Sequence, residues 1–474
     1  VKAVPIGRTA TVRALDAALI RGVGIPAEML VDTAAHACAT AFRARHPTAR
    51  RVLILAGPGN NGADGWAMAR HLARDVEVRV RAVFPPTSDA GRLHARIAQA
   101  LGLAGDMDAP DVVIDAVFGT GQRAPVDVPA LRDHPRAVRV ALDVPTGFDA
   151  DTGAPLGSHA APDDVLVIGW AKPFVLGWAG AWTCVDIGLS QAPDARPDAL
   201  WRPHVVPTRA VPPDADKWAR GHLGVWAGSA EMAGAAVLCC RGALRAGAGL
   251  VSLFAPTEAW SRLGALPPEV MLHPAEARTR DPGARCDAWV VGPGLGRAAD
   301  AAVREAWRRE PRPMVIDADG LRALGDAPGP SGGPRLLTPH VGEAAALLGT
   351  SREAVARDRL AATTALRAFG AAILKGMHPM VTGMPPQALA GGVPQLGTAG
   401  SGDVLAGACG ALVAAASRAG AFSGEDWRET LESLACEAAA AHLEAGRRAG
   451  PVGCLASEVA DAWPRPTTDV HLRP

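Results

Sequence analysis

Short apolar runs with strand character alternate with helix-patterned segments along this chain, and they do so in two successive series. The first series reads VLILA from Val52, VEVRVRAVF from Val76, VVIDAVF from Val112 and VRVALDV from Val138. Helical patterns fall between them, over 64–73 and 88–101, and two more precede the first strand, over 11–20 and 27–45. The second series reads LGVWAG from Leu223, GLVSLFA from Gly249, AWVVG from Ala288, PMVIDA from Pro313, RLLT from Arg335 and AAILK from Ala371. After Gly402 the chain becomes alanine-rich and predicts three helices. Such alternation builds parallel sheets covered on both faces, because each parallel connection needs a crossover, usually a helix. The expectation is an α/β protein with two tandem three-layer α/β/α domains.

A chain of 474 residues exceeds what one ordinary core organises. Between the two series, residues 191–214 are rich in proline and polar residues and carry no sustained period. The predicted division is therefore a domain over 1–190, a linker over 191–214 and a second domain over 215–474.

Charge excludes several functions. Lys+Arg and Asp+Glu both number 48, so no basic excess calls for nucleic acid or an anionic membrane. No apolar run approaches the roughly 20 residues of a membrane helix, and the opening VKAVPIGRTATVRALD lacks the apolar core of a signal peptide. The eight cysteines are scattered without metal spacing, as expected of small apolar residues in a reducing, cytoplasmic setting.

Strand VLILA runs into Gly57-Pro58-Gly59-Asn60-Asn61-Gly62-Ala63-Asp64-Gly65. Gly57, Gly59 and Gly62 satisfy GxGxxG between a strand and a helix, where backbone N–H groups can meet a pyrophosphate. The second strand ends Val83-Phe84-Pro85 rather than in the acid that a hydride-transferring dehydrogenase uses for the ribose, which disfavours that class. Two further strand-end loops, at Asp115–Gly121 and Asp143–Asp149, should open on the same sheet edge. Oxygens of Asn61, Asp115 and Thr146 would suit a hard cation; equally, Asp115 and Asp143 could simply cap turns.

Together NNGADG, VDAVFGTG and LDVPTGFDADTG resemble the NAD(P)H-hydrate epimerase family, whose domain is Rossmann-like, over nearly all of 11–190. The resemblance implies that Asn60, Asn61, Gly62, Ala63 and Asp64 contact a hydrated dinucleotide, NADHX or NADPHX. It assigns the same role to Gly119, Thr120, Gly121, Gln122, Arg123, Ala124 and Pro125. Asn61, Asp115 and Thr146 would hold potassium, and Asp143 would be the catalytic acid/base. Ala63 stands where the family commonly has glycine, Thr146 where it has serine, and an early helix that usually carries Glu and Gly reads LVDTAA from Leu30.

In the second series, Thr398-Ala399-Gly400-Ser401-Gly402-Asp403 opens a helix. Small residues there form an anion hole of N–H groups, and a carboxylate just inside it can take the proton of a hydroxyl attacking phosphorus. GPGLG from Gly292, Asp317-Ala318-Asp319, TPHVGE from Thr338 and Lys375-Gly376 all follow strands. With KWARGH from Lys217 and TAGSGDVLAG from Thr398, this set resembles the ADP-dependent NAD(P)H-hydrate dehydratases, which have the ribokinase-like fold, over about 215–470. By that resemblance Asp403 is the catalytic base, and Gly400, Ser401 and Gly402 surround the phosphoryl group. Ala236, Gly294 and His340 would line the hydrate site together with Asp403. Lys375, Gly376, Met377, His378 and Pro379 would touch the nucleotide, and Glu343 would help order magnesium and water. Met377-His378-Pro379 replaces the threonine usual after Lys-Gly.

The expected activity is repair of hydrated nicotinamide cofactors: exchange of the two C6 epimers, then dehydration of one at the expense of ADP. Two alternatives remain open at this level. One is a ribokinase-class small-molecule kinase with a non-catalytic dinucleotide-binding first domain. The other makes that first domain a sensing or protein-binding module. Self-association is an expectation for α/β nucleotide enzymes of this size.

Overall fold

The computed structural model describes residues 2–157, 159–203, 211–212, 214–326, 328–424 and 427–464, so part of the proline-rich stretch lies outside the described residues. The chain forms two compact units, one from Ala3 to Leu200 and one from Trp201 onward. Among the described residues no helix is long and apolar enough to cross a membrane.

The first unit begins with β1 (Val4–Ile6), α1 (Thr9–Ala17) and α2 (Ala27–Arg45). Then come β2 (Arg51–Ala56), α3 (Asn60–Leu72), β3 (Glu77–Ala82), α4 (Asp89–Ala100), β4 (Val112–Ala116), β5 (Val138–Leu142), β6 (Asp164–Ile168) and β7 (Ala181–Val185). Strands β2 to β7 form one parallel sheet in the order β3-β2-β4-β5-β6-β7. Strand alternation feeds two cores: Val52, Ile54 and Ala56 face the α2/α3 side, and Leu53 and Leu55 the other. All five are fully buried, so truncating Ile54 or Leu55 to alanine should cost about 2–5 kcal/mol. Ser88 caps α4 by accepting from the Gly91 N–H at 3.1 Å.

Differences from the sequence expectation are local. The NNGADG segment is the opening of α3 rather than a loop before it. The helix over 11–20 ends at Ala17 and continues as a π-turn over Ala18–Val23. Strands β6 and β7 were not foreseen; DVLVI is too short a run to distinguish from a buried helix turn by periodicity.

The strand β8 (Ala199–Arg202) interrupts the expected linker. The second unit contributes β9 (His222–Trp226), α5 (Ala233–Arg245), β10 (Leu250–Ala255), β11 (Val270–Pro274), β12 (Ala288–Val291), α6 (Asp300–Arg309), β13 (Met314–Ile316) and α7 (Asp319–Leu324). It continues with β14 (Arg335–Leu337), α8 (Val341–Leu347), α9 (Arg352–Arg357), α10 (Arg359–Leu366), β15 (Ala371–Leu374), β16 (Met380–Val381) and β17 (Gln387–Leu389). Three helices close it, α11 (Ser401–Arg418), α12 (Trp427–Arg448) and α13 (Ala456–Asp461), as the alanine-rich tail predicts. Its strands run in the order β17-β16-β15-β14-β13-β12-β9-β10-β11. They are parallel from β15 to β11, with β16 and β17 antiparallel at the other end. Parallel strands deliver their carboxyl ends to one edge, which gathers the loops after β9, β12, β13, β14 and β15.

Candidate active sites

In the first unit the turn after β2 passes so close to the loop after β4 that a Cβ on Gly57 would lie 1.8 Å from the Val117 carbonyl oxygen. That contact excludes any side chain and brings the start of α3 beside the β4 and β5 loops. A cavity of about 470 Å³ opens there. Asn60, Asn61, Asp64, Gly119, Thr120 and Gly121 line it, and so does Asp143. Gly62 and Ala63 do not: Gly62 backs on Gly57, and Ala63 is part of the core. Gln122, Arg123, Ala124 and Pro125 are also off the wall. Gln122 instead is buried and braces the β5 loop, accepting from the Gly147 N–H at 2.9 Å and donating to the Ala124 carbonyl at 3.1 Å.

The expected ion ligands show a divided picture. Both polar atoms of the Asn61 amide are shielded from solvent and have no hydrogen-bond partner among the described residues. Asp115 accepts from the N–H groups of Val117 (3.1 Å) and Thr146 (2.9 Å) and from Thr146 Oγ1 (2.7 Å). Asp115 and Thr146 thus bind each other and cap the turn, the role weighed for Asp115 against ion binding. Burial raises the Asp115 carboxyl, and those hydrogen bonds oppose the shift. Among the described residues no three His, Cys, Asp or Glu side chains gather as a metal cluster.

Asp143 follows β5 with φ 65°, left-handed for a non-glycine residue. Its carboxylate pairs with Lys172, which is 1% exposed and also lines the cavity. Two further acids face the same space. Burial raises Asp64 well above the ordinary carboxylate range, with Asp143 and Asp16 adding to it. Burial likewise raises Asp16, against the opposing charge of Lys172. Neither Lys172 nor Asp16 was singled out from the sequence. A signal for the lysine exists in the composition. Only four of the 48 Lys+Arg residues are lysines, namely Lys2, Lys172, Lys217 and Lys375. In so arginine-rich a chain, a lysine inside an apolar stretch marks a place for a compact charge that a guanidinium cannot fill.

In the second unit Asp403 lies in the first turn of α11, whose N-cap is Gly400 at φ 91°. Gly402 faces the neighbouring charges: a Cβ there would be 3.4 Å from Lys375 Nζ and 3.7 Å from Asp317 Oδ2. Lys375 Nζ donates to Asp317 Oδ1 at 2.7 Å and stands 3.9 Å from Glu343 Oε2. Burial pushes Asp403 up to about 7, with Asp317 and Glu343 reinforcing and Lys375 opposing. Burial also raises Glu343, against Lys375. Burial alone would pull Lys375 down, but Asp317 and Glu343 outweigh it and hold the ammonium above its usual value.

The remaining expected residues divide. His340 caps α8: Nδ1 accepts from the N–H groups of Gly342 (2.9 Å) and Glu343 (3.1 Å), and Glu343 returns the bond by accepting from the His340 N–H at 2.8 Å. With Nδ1 an acceptor, the neutral ring carries its hydrogen on Nε2, and the side chain is largely exposed. Gly294 packs on Met232 and Ala235 at the start of α5, the helix that also carries Ala236. Ser401 Oγ donates to the Leu396 carbonyl at 2.7 Å. Gly376 leaves room for the Arg359 guanidinium, which donates to the His378 carbonyl at 3.1 Å. Of the expected nucleotide contacts, His378 turns inward: its ring is buried and Nδ1 accepts from the Gly391 N–H at 3.0 Å. Met377 and Pro379 carry the adjoining turn through backbone bonds to Gly392 and Leu389. The sequence motifs assign no individual role to Asp317 or Asp319. Asp317 proves to hold Lys375, and Asp319 accepts from the Gly296 N–H at 2.9 Å, fixing the glycine loop after β12.

Comparison with known proteins matches both units. The family model described as NAD(P)H-hydrate dehydratase matches residues 223–461, and that described as YjeF-related protein N-terminus matches residues 27–174. The chain is similar to the bifunctional NAD(P)H-hydrate repair enzyme Nnr of Thermanaerovibrio acidaminovorans, at 33% identity over 95% of this chain and 96% of that protein. It is also similar to those of Gloeobacter violaceus (34%; 85% and 88%) and Mycobacterium tuberculosis (35%; 85% and 88%). Among solved structures, a ribokinase-like superfamily protein from Enterococcus faecalis aligns at TM-score 0.48 and 21% identity, covering 55% of this chain and 93% of that one.

Proposed function

The chain belongs to the family of bifunctional NAD(P)H-hydrate repair enzymes, and from that premise we propose how the two sites divide the reaction. The first unit exchanges the C6 epimers of NADHX and NADPHX in the cavity between α3 and the β4 and β5 loops. Asn60, Asn61, Asp64 and the segment Gly119, Thr120 and Gly121 receive the dinucleotide, and Asp143 moves the proton. Potassium would suit the otherwise unsatisfied buried amide of Asn61, with Asp115 and Thr146 as the further oxygen ligands that the family resemblance implies. When bound, the ion supplies a fixed positive charge beside the pyrophosphate.

The second unit dehydrates the S epimer with ADP. Asp403 accepts the proton of the C6 hydroxyl as its oxygen attacks the terminal phosphorus of ADP, and AMP leaves. Loss of phosphate from C6 and of a proton from C5 then restores the ring double bond. The N–H groups at Gly400, Ser401 and Gly402 stabilise the transferring phosphoryl group, and Lys375 meets its oxygens as a point charge. Magnesium, with Glu343 helping to order it through water, supplies further charge neutralisation on the phosphates. Eight free cysteines suit a reducing, cytoplasmic setting.

The observation that supports this reading best is the placement of Asp403 at a helix start, pushed up to about 7, beside Gly402 and Lys375. A base operates best with a value near the working pH, where an appreciable share is ionised yet basic enough to take a proton. The test is to separate the activities. Asp403→Asn should abolish dehydration and spare epimer exchange, and Asp143→Asn should do the converse. Loss of both activities from either change in a folded chain refutes the assignment.

A further inference from the structure

The carboxylate of Asp143 has two unlike oxygens. Oδ1 accepts from Lys172 Nζ and from the Ile168 N–H at 3.3 Å. Oδ2 accepts no hydrogen bond from the described residues, and it points at Gly119: a Cβ on that glycine would come 3.2 Å from Oδ2 and 3.3 Å from Asn61 Cγ. Gly119 therefore keeps open the space in front of Oδ2, on the cavity wall that Asn61 shares.

Lys172 is held from several sides. Its ammonium also donates to the Ile168 carbonyl at 2.6 Å. The preceding Ala171 is tied to the Pro5 carbonyl at 2.9 Å, and the Gly7 N–H to the Ala171 carbonyl at 2.8 Å. Burying a lysine to 1% exposure is costly unless its charge is matched. Three carboxyl groups share the space, Asp16 from α1, Asp64 from α3 and Asp143, with the thiols of Cys38 on α2 and Cys184 on β7 beside them. Of these three carboxyl groups, Asp143 is the one in direct contact with the ammonium among the described residues. The left-handed backbone of Asp143 costs on the order of 1–3 kcal/mol and persists only where the surroundings over-determine it. Its N–H bond to the Leu166 carbonyl at 2.7 Å and the ion pair together do so.

We propose that Lys172 is a positioning residue of the first site, anchoring Oδ1 of Asp143 so that Oδ2 faces the bound hydrate across Gly119. The inference rests on reading this cavity as the epimerase site. Lys172 acts through Asp143 and does not itself contact the substrate.

The experiment is a double-mutant cycle in the full chain, with Lys172→Gln, Asp143→Asn and the combination. Epimer exchange is followed by chromatography, and ADP-dependent dehydration of the S epimer is the internal control. Lys172→Gln should lower kcat for exchange by about 100-fold or more, with KM altered less than about threefold, since uniform binding is untouched. The combination should exchange no more slowly than Asp143→Asn alone, because both removals disable one device. Dehydration should be unchanged throughout. Lys172→Met, which keeps an apolar stem in the buried channel, guards against misfolding and should reproduce the kcat loss with an intact thermal transition. A raised KM with kcat preserved, or a combination slower than Asp143→Asn by the full factor of Lys172→Gln, overturns the proposal and makes Lys172 a substrate contact. A wild-type chain that leaves the epimers unexchanged refutes the reading of the site. A wild type that exchanges them beside an equally fast Lys172→Gln refutes this inference alone.

Discussion

Asp403→Asn should make the second unit more stable while removing its activity. Burial and the carboxylates of Asp317 and Glu343 push Asp403 up to about 7 from an ordinary 3.8. At about 1.4 kcal/mol per pKa unit, ionising it in the folded state costs about 4 kcal/mol more than in the unfolded chain. The sign follows from proton counting. Between about pH 4 and pH 7 the folded state holds the proton that the unfolded chain has released, so stability falls as pH rises through that window. Above pH 7 the full cost is present, and asparagine removes it. Lys375 loses one counter-charge in the variant, which offsets part of the gain. For a unit of this size 1 kcal/mol corresponds to about 2–4 °C in Tm, so the expected rise is about 5–10 °C at pH 8. At pH 5 the wild type has incurred about a third of the cost, and the difference should shrink accordingly. Calorimetry of the full chain without nucleotide, at the two pH values, measures this. A variant no more stable than wild type at pH 8, or equally stabilised at both values, refutes the reasoning that Asp403 is a carboxylate held against its burial.

Three further outcomes follow from the same geometry. The dehydration rate should fall about tenfold per pH unit below about pH 7, where Asp403 takes up its proton; Lys375→Met removes the cation that opposes the shift and should move that limb upward in a pH–rate profile. Gly402→Ala adds a methyl in ordinary contact with Lys375 Nζ and Asp317 Oδ2, so Tm should hold while dehydration drops about 100-fold, its carbon occupying space needed by the phosphoryl oxygens. Asn61→Leu replaces an unsatisfied buried amide with a similar apolar shape and should leave stability equal or higher, while epimer exchange becomes slow and indifferent to potassium in titrations of the ion.

Strand positions such as β2, β4, β12 and β15 were legible because buried parallel strands are continuous apolar runs bounded by glycines. The motif acids Asp115, Asp143 and Asp403 were legible because each follows such a run or opens a helix. The short strands β16 and β17 were not, since two or three residues carry no period. Side-chain direction was equally hidden. Spacing alone could not tell that Ala63 packs into the core while Asp64, one residue on, faces the cavity. Nor could it tell that His378 turns inward to hold Gly391. Lys172 lies well beyond the LDVPTGFDADTG motif, which ends at Gly153, and meets Asp143 only through the β5–β6 pairing. Its one trace in the sequence is the scarcity of lysine itself.

A bifunctional repair enzyme must both exchange the epimers and dehydrate one of them on a single chain. Purified protein mixed with both C6 epimers of NADH hydrate, magnesium, potassium and ADP tests it directly, through recovery of the near-ultraviolet absorbance of reduced nicotinamide. Recovery should be rapid and complete with this chain, and should stop near half with Asp143→Asn. Folded protein that recovers no absorbance with ADP contradicts it.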